Sequence, residues 1–193
     1  QPNGYVNNKH PDARTGGPDY PAAMGMSRPD LARILHDRAV EAGVKIRFGL
    51  ALTGLEQDGD AVDAAFSDGS TGTYDLVVGA DGIRSATRRA LGIDLETTPV
   101  GMGIWRAFGP RPAGVTRTDL FYGGPSFIAG YCPTGEDTLY AYVVEAAQDR
   151  SALTPEERLA TMTELTRPYH GPWDDIRDTL GQVNYTWFET HVL

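Results

Sequence analysis

The stretch Tyr74–Leu91, YDLVVGADGIRSATRRAL, constrains the chain more than any other. Leu76, Val77 and Val78 form an apolar run without alternation, the pattern of a strand buried on both faces. Gly79-Ala80-Asp81-Gly82 follows at once, and small residues there let a backbone or a ligand come close. Ser85 can cap the next helix, because its hydroxyl can accept the orphan N–H groups of a first turn. The order is therefore strand, tight acidic turn, helix. Asp81 is either a helix cap or an acid at the carboxyl end of a buried strand, where open α/β sheets bind ligands. The residues of this stretch leave both readings open.

The segments before it are well punctuated. Ser27 with Asp30 makes a capping-box-like start, Pro29 suits a first turn and Gly43 a stop, so Ser27–Gly43 is expected to be a helix. Leu31, Ile34, Leu35, Ala39 and Ala42 recur at helical spacing and should lie on a sheet. Val44–Phe48 reads as a short strand. Leu50–Gln57 and Ala61–Ser67 flank the hairpin signal Asp58-Gly59, and Asp68-Gly69 turns the chain again into Thr71–Tyr74. Gln1–Tyr20 has no period and reads as loop, with Ala22–Ser27 as a short strand after it.

Near Pro99 the pattern changes. Val100–Phe108, Thr118–Tyr122, Ser126–Cys132 and Thr138–Glu145 are strand-like and joined by turns without intervening helices, which predicts an antiparallel sheet. Thr154-Pro155-Glu156-Glu157 starts a helix with Thr154 as its cap. Trp173–Leu180 is expected as a second helix and Val183–Val192 as a return strand.

Composition narrows the function. The net charge of −9 is spread along the chain, which argues against nucleic acid or an anionic membrane as partner. No apolar run approaches a membrane span, and the cytoplasm is the default compartment. The single Cys132 excludes an internal disulfide and a cysteine-based zinc site. His10, His36, His170 and His191 are scattered, so neither a metal cluster nor a nucleophile–base pair is expected, and no catalytic side chain is named.

Asp81-Gly82-x-x-Ser85-x-x-Arg88 after an apolar strand resembles the "DG" motif of the FAD-dependent aromatic hydroxylases. These are the group A flavoprotein monooxygenases, p-hydroxybenzoate hydroxylase-like enzymes. Met26-Ser27-Arg28-Pro29-Asp30-Leu31 with Leu35 resembles that family's segment in which an Arg before a helix contacts FAD. The resemblance implies that Arg28, Asp81 and Gly82 bind cofactor, FAD with NAD(P)H as reductant, and that the substrate is a small aromatic molecule. A G-x-G-x-x-G turn, which cradles pyrophosphate in that family, is absent, as is the later Gly-Asp motif. The chain is accordingly expected to be the central part of a larger enzyme.

The implied fold class is α+β, an α/β flavoprotein fragment. Residues 1–99 would be a partial FAD-binding region, and residues 100–193 a substrate-binding antiparallel sheet with helices on one face. In the resembled family the sheet after the DG motif walls the substrate chamber. Trp105, Arg106, Tyr122, Phe127 and Tyr131 are the candidates here, with Tyr140 and Tyr142 sharing a face by alternation. Each aromatic could instead be sheet core. Flavin reductases, dehydrogenases and halogenases share the flavin fold, and a non-catalytic binding module is the third alternative. The halogenase segment W-x-W-x-I-P is absent. Nothing in the sequence identifies the substrate or the oligomeric state.

Overall fold

The computed structural model describes residues 13–20 and 25–192. Contacts divide them into two units. One is Leu35–Val100; the other is Gly101–Thr190 with the residues before Leu35.

In the first unit, three strands form an antiparallel meander: β1 (Leu52–Asp58), β2 (Ala61–Phe66) and β3 (Thr71–Tyr74). The expected hairpin closes where Asp58 pairs with Ala61, and Gly59 has φ 59°, the left-handed region that an Asp-Gly turn demands. Gly69 does the same at φ 83° for the second turn. Helix α1 (Arg28–Glu41), whose first turns are counted with the other unit, carries the expected start, Asp30 N donating to Ser27 Oγ at 3.3 Å. The short helix α2 (Ala86–Ala90) follows the acidic turn with Ser85 as its cap, as the sequence indicated.

Two expected strands and one expected packing face are corrected here. Val44–Phe48 and Leu76–Val78 are not strands, and no strand pairs with either among the described residues. Leu76, Val78 and Phe48 are 75%, 76% and 78% exposed, the reverse of burial on both faces. Helix α1 has no buried residue; Leu31 and Leu35 are exposed. An apolar run states a need for cover, but a strand exists only where a neighbour supplies N–H and C=O groups. Of the expected strand over Ala22–Ser27, residues 22–24 lie outside the described residues and Gly25–Ser27 are not strand; Lys9, His10 and Asp12 of the leading loop also lie outside, while His191 lies in a segment whose side chains are not described.

The second unit is a five-stranded sheet whose first four strands along the chain pair antiparallel. Its strands are β4 (Thr98–Pro110), β5 (Asp119–Tyr122), β6 (Ile128–Pro133), β7 (Thr138–Ala146) and β8 (Asn184–Val192), in the order β5-β6-β7-β4-β8. Helices α3 (Pro155–Thr166) and α4 (Pro172–Thr179) connect β7 to β8, with a 3-10 turn at Leu180–Gln182. Thr154 and Glu157 form a full capping box at the start of α3. Register assigns the faces, because directly paired residues share a side. Phe121, Ala129, Val143 and Trp105 form one row across the sheet, and Tyr131, Ala141 and Ala107 the next. These rows pack with Met162, Tyr169, Trp173, Ile176 and Leu180 of the helical segment to make the core.

Candidate functional site

Asp81 shows how its turn is built. Ser85 Oγ donates to Asp81 Oδ1, while Thr87 N and Thr87 Oγ1 donate to Oδ2 at 2.9 and 3.0 Å. Ser85 Oγ in turn accepts from Arg88 N at 2.9 Å. Ser85 is thus the cap of α2, and Asp81 holds the cap in place. These hydrogen bonds, Ser85's the largest, keep the Asp81 carboxyl well below the usual carboxylate range. A carboxylate offers about four lone-pair directions. Three are used, leaving one on Oδ1. Gly82 follows with φ 77°, and a Cβ there would meet nothing within 4 Å, so the turn stands open to a ligand. Gly79 is small for another reason: a Cβ would lie 2.6 Å from Thr87 Cγ2. A shallow cavity in the same unit is lined by Leu55, Gln57, Val62, Val77, Thr87 and Arg88.

In the sheet unit, the face opposite the core collects rings and cations. Phe108 pairs with Tyr140 and Tyr140 with Cys132; Arg106 pairs with Tyr142, Tyr142 with Gly130 and Gly130 with Leu120. Tyr140 lies 5.1 Å from Phe108 and stacks on Tyr142 at 5.3 Å. The Arg106 guanidinium sits over Tyr140, 5.7 Å from the ring centroid. Gly130 makes room for this stack, since a Cβ there would come within 3.0 Å of Tyr142 Cζ. Burial raises the pKa of Tyr142 to about 12 and pushes the Tyr140 phenol up from its ordinary value, so both keep their protons at neutral pH. The charges of Arg106 and Arg28 pull the Tyr140 value the other way.

Arg28 therefore lies near enough for Tyr140 to feel it. The chain just before α1 is held against the same strand end: a Cβ on Gly25 would be 2.4 Å from Cys132 Sγ and 2.3 Å from Pro133 O. The charges of Arg28, expected from the resemblance to bind cofactor, and of Arg106, expected to bind substrate, both act on Tyr140. Tyr122 is on the same face, paired with Ile128, and is 62% exposed.

The other expected wall residues are placed elsewhere. Trp105 and Tyr131 lie in the core on the helix-covered face, 0% and 2% exposed. Trp105 Nε1 donates to the buried Glu145 at 2.8 Å, and Tyr131 Oη donates to Asp119 at 3.0 Å. Phe127 precedes β6 and is exposed, its backbone N–H donating to Val144 O. Sequence reasoning grouped these aromatics by kind, while alternation against the helix-facing rows would have divided them. Tyr140, Tyr142 and Phe108 share the face opposite the core with Arg106, and the alternation of Tyr140 and Tyr142 was the signal for two of them.

The chain is similar to known proteins along most of its length. The FAD binding domain family model matches residues 6–172. The 12-dehydrotetracycline 5-monooxygenase/anhydrotetracycline 6-monooxygenase of Streptomyces rimosus is 32% identical over 181 residues, covering 80% of this chain and 34% of that protein. A flavin-dependent monooxygenase of Phoma sp is 38% identical over 109 residues, covering 53% of this chain and 25% of the relative. Among solved structures, Klebsiella pneumoniae HpxO complexed with FAD and uric acid superposes with a TM-score of 0.71 at 23% identity, over 86% of this chain and 43% of that one. Pseudomonas aeruginosa PqsL, a probable FAD-dependent monooxygenase by its description, does so with a TM-score of 0.66 at 22% identity, over 84% and 47%. The chain spans about a third of the length of the two Streptomyces rimosus relatives it matches.

Proposed function

The chain belongs to the FAD binding domain family, and on that premise we propose that it is the central part of an FAD-dependent monooxygenase that uses NAD(P)H to hydroxylate a small aromatic substrate. The observation that carries this reading is the Asp81-Gly82 turn, in a chain of this family, with one acceptor direction left on a fixed carboxylate and open space above the glycine.

The residues present fit FAD. Asp81 Oδ1 would accept from a hydroxyl of the cofactor, and Gly82 would let the cofactor approach the backbone. Arg28, exposed at the start of α1, would be a cofactor contact as a cation. When bound and reduced, FAD supplies the activation of dioxygen. The net reaction takes substrate C–H, O2, NAD(P)H and a proton to C–OH, water and NAD(P)+. The protein's share is to bind the substrate, orient it and exclude water. Arg106, Tyr122, Tyr140, Tyr142 and Phe108 would do this from one sheet face, with Trp105 and Tyr131 supporting it from the core behind. By this reading residues 1–99 serve the cofactor and residues 100–193 the substrate. The tetracycline-type relative makes anhydrotetracycline a reasonable first substrate to try.

The test uses the intact protein. It should purify with FAD, oxidise NADH or NADPH, and do so faster with an aromatic substrate, yielding a product heavier by one oxygen. An intact protein that neither retains FAD nor oxidises a nicotinamide cofactor would rule the reading out.

A further inference from the structure

We infer that Trp173, Tyr131 and Asp119 form a radical relay that carries an oxidising equivalent out of the core of the sheet unit to its surface. The inference goes beyond the reaction proposed above. It rests only on side chains within Gly101–Thr190 and does not depend on which substrate the protein takes.

Three observations carry it. The core holds oxidisable rings in contact: Trp173 meets Tyr131 edge-on with ring centroids 6.2 Å apart, and Tyr169 at the same centroid distance of 6.2 Å. Trp173, Tyr131 and Tyr169 are 0%, 2% and 0% exposed. Next, Trp173 Nε1 is buried and has no hydrogen-bond acceptor among the described residues. Last, the two tyrosines against Trp173 differ at their hydroxyls. Tyr131 Oη donates to Asp119 Oδ2 at 3.0 Å, and Arg117 Nε donates to Oδ1 at 2.7 Å, which fixes the carboxylate. Tyr169 Oη instead accepts from Ser126 N at 3.4 Å. The Asp119 side chain is 32% exposed, so the path ends at water.

The chemistry follows from these positions. Losing an electron makes an indole or a phenol strongly acidic, so the place its proton can go decides where the radical rests. Trp173 has no acceptor for its N–H, so its radical cation keeps the proton and remains a strong oxidant. Tyr131 then gives it one electron. The phenolic O–H bond breaks at the same time, and its proton crosses the hydrogen bond to form an O–H bond on Asp119 Oδ2. Trp173 returns to neutral indole. One electron has passed from Tyr131 through Trp173 to the oxidant, and one proton from Tyr131 to Asp119. A thiol in solution returns an electron to the tyrosyl radical, and Asp119 returns the proton. In the resting protein, burial and the charge of Asp119 push the Tyr131 phenol up from its ordinary value, so it does not ionise before it is oxidised. The oxidant is a one-electron oxygen radical, a hazard for a chain of an FAD-binding family, since reduced flavin activates dioxygen.

The experiment uses the intact protein. An ultraviolet flash photoionises tryptophan, and the absorption bands of the tryptophan and tyrosyl radicals are followed in time. In the wild type the tyrosyl band should grow as the tryptophan band decays, and more slowly in heavy water, because a proton moves with the electron. Tyr131→Phe keeps the ring and removes the phenol. It should abolish most of the tyrosyl radical and lengthen the life of the tryptophan radical severalfold. Asp119→Asn keeps the shape but is a far weaker base, and should slow the transfer severalfold. Trp173→Phe should remove the fast phase, whereas Tyr169→Phe should leave it unchanged. A purely structural role in the core would move none of these rates. Equal tyrosyl yield in wild type and Tyr131→Phe would overturn the relay, as would an unchanged rate in Asp119→Asn. Should a variant not fold, the wild type decides alone: transfer slowed by heavy water upholds the relay, and no transfer, or transfer indifferent to heavy water, overturns it.

Discussion

Asp81 has a structural duty whatever its role toward cofactor, and the two can be separated. It accepts from Ser85 and twice from Thr87, so Asp81→Ala removes three acceptor contacts while Asp81→Asn keeps part of them. The expected order of thermal midpoints is wild type, then Asn, then Ala. The pH dependence has a definite sign. The folded carboxyl titrates below its ordinary value, so its stabilisation is present above about pH 4 and is lost as the pH falls from there toward the folded-state value. Unfolding midpoints measured between pH 7 and pH 2 should therefore converge for wild type and Asp81→Ala at the acid end. A constant gap across that range would show that the carboxylate's charge contributes nothing. The side-chain types of this turn were legible in sequence. Which of them was the cap was not, because Asp81 and Ser85 can each accept a first-turn N–H, and only the folded turn aims Asp81 at Ser85 and Thr87.

At the scale of elements, β7 ends on a buried charge. Glu145, 7% exposed, accepts from Trp105 Nε1 at 2.8 Å and Gln148 Nε2 at 2.6 Å, and pairs with Arg150 through Nε at 3.1 Å and Nη2 at 2.8 Å. Arg150 also stacks its guanidinium over Trp105 at 5.9 Å. Glu145→Ala strands the Arg150 charge and the indole N–H, and should cost about 3–5 kcal/mol of stability, read from urea unfolding by tryptophan fluorescence. A loss under about 1 kcal/mol would mean that water reaches the pair and screens it. The capping box at Thr154 and Glu157 was readable in advance because it is complete within four residues. The Glu145 network was not, since its partner Trp105 is forty residues away and only the β4–β7 register brings them together.

For the whole molecule, the absence of a G-x-G-x-x-G turn from the sequence has a measurable consequence. The 193-residue chain by itself should lose added FAD on gel filtration, because the pyrophosphate contacts of the resembled family are missing and each lost contact region lowers affinity. Stoichiometric yellow colour in the protein peak would contradict this. What the sequence determined by itself was everything carried by neighbours along the chain. The Asp58-Gly59 hairpin, the Thr154 cap, the helix-free succession of strands after Pro99 and the side-chain types of the DG-like turn all depend on short stretches of chain and on left-handed or capping backbone geometry. What only the tertiary structure decided was which side of each pattern is covered. Alternation put Tyr140 and Tyr142 on one face of their own strand, but only the register with β4 and β6 set that face opposite Trp105 and Tyr131, and covering by α3 and α4 made Trp105 and Tyr131 core. The same limit governs Leu76–Val78 and the apolar side of α1, which announce a need for burial that no partner meets among the described residues. Burial is a property of pairs of surfaces, and one stretch of chain specifies only one of the two.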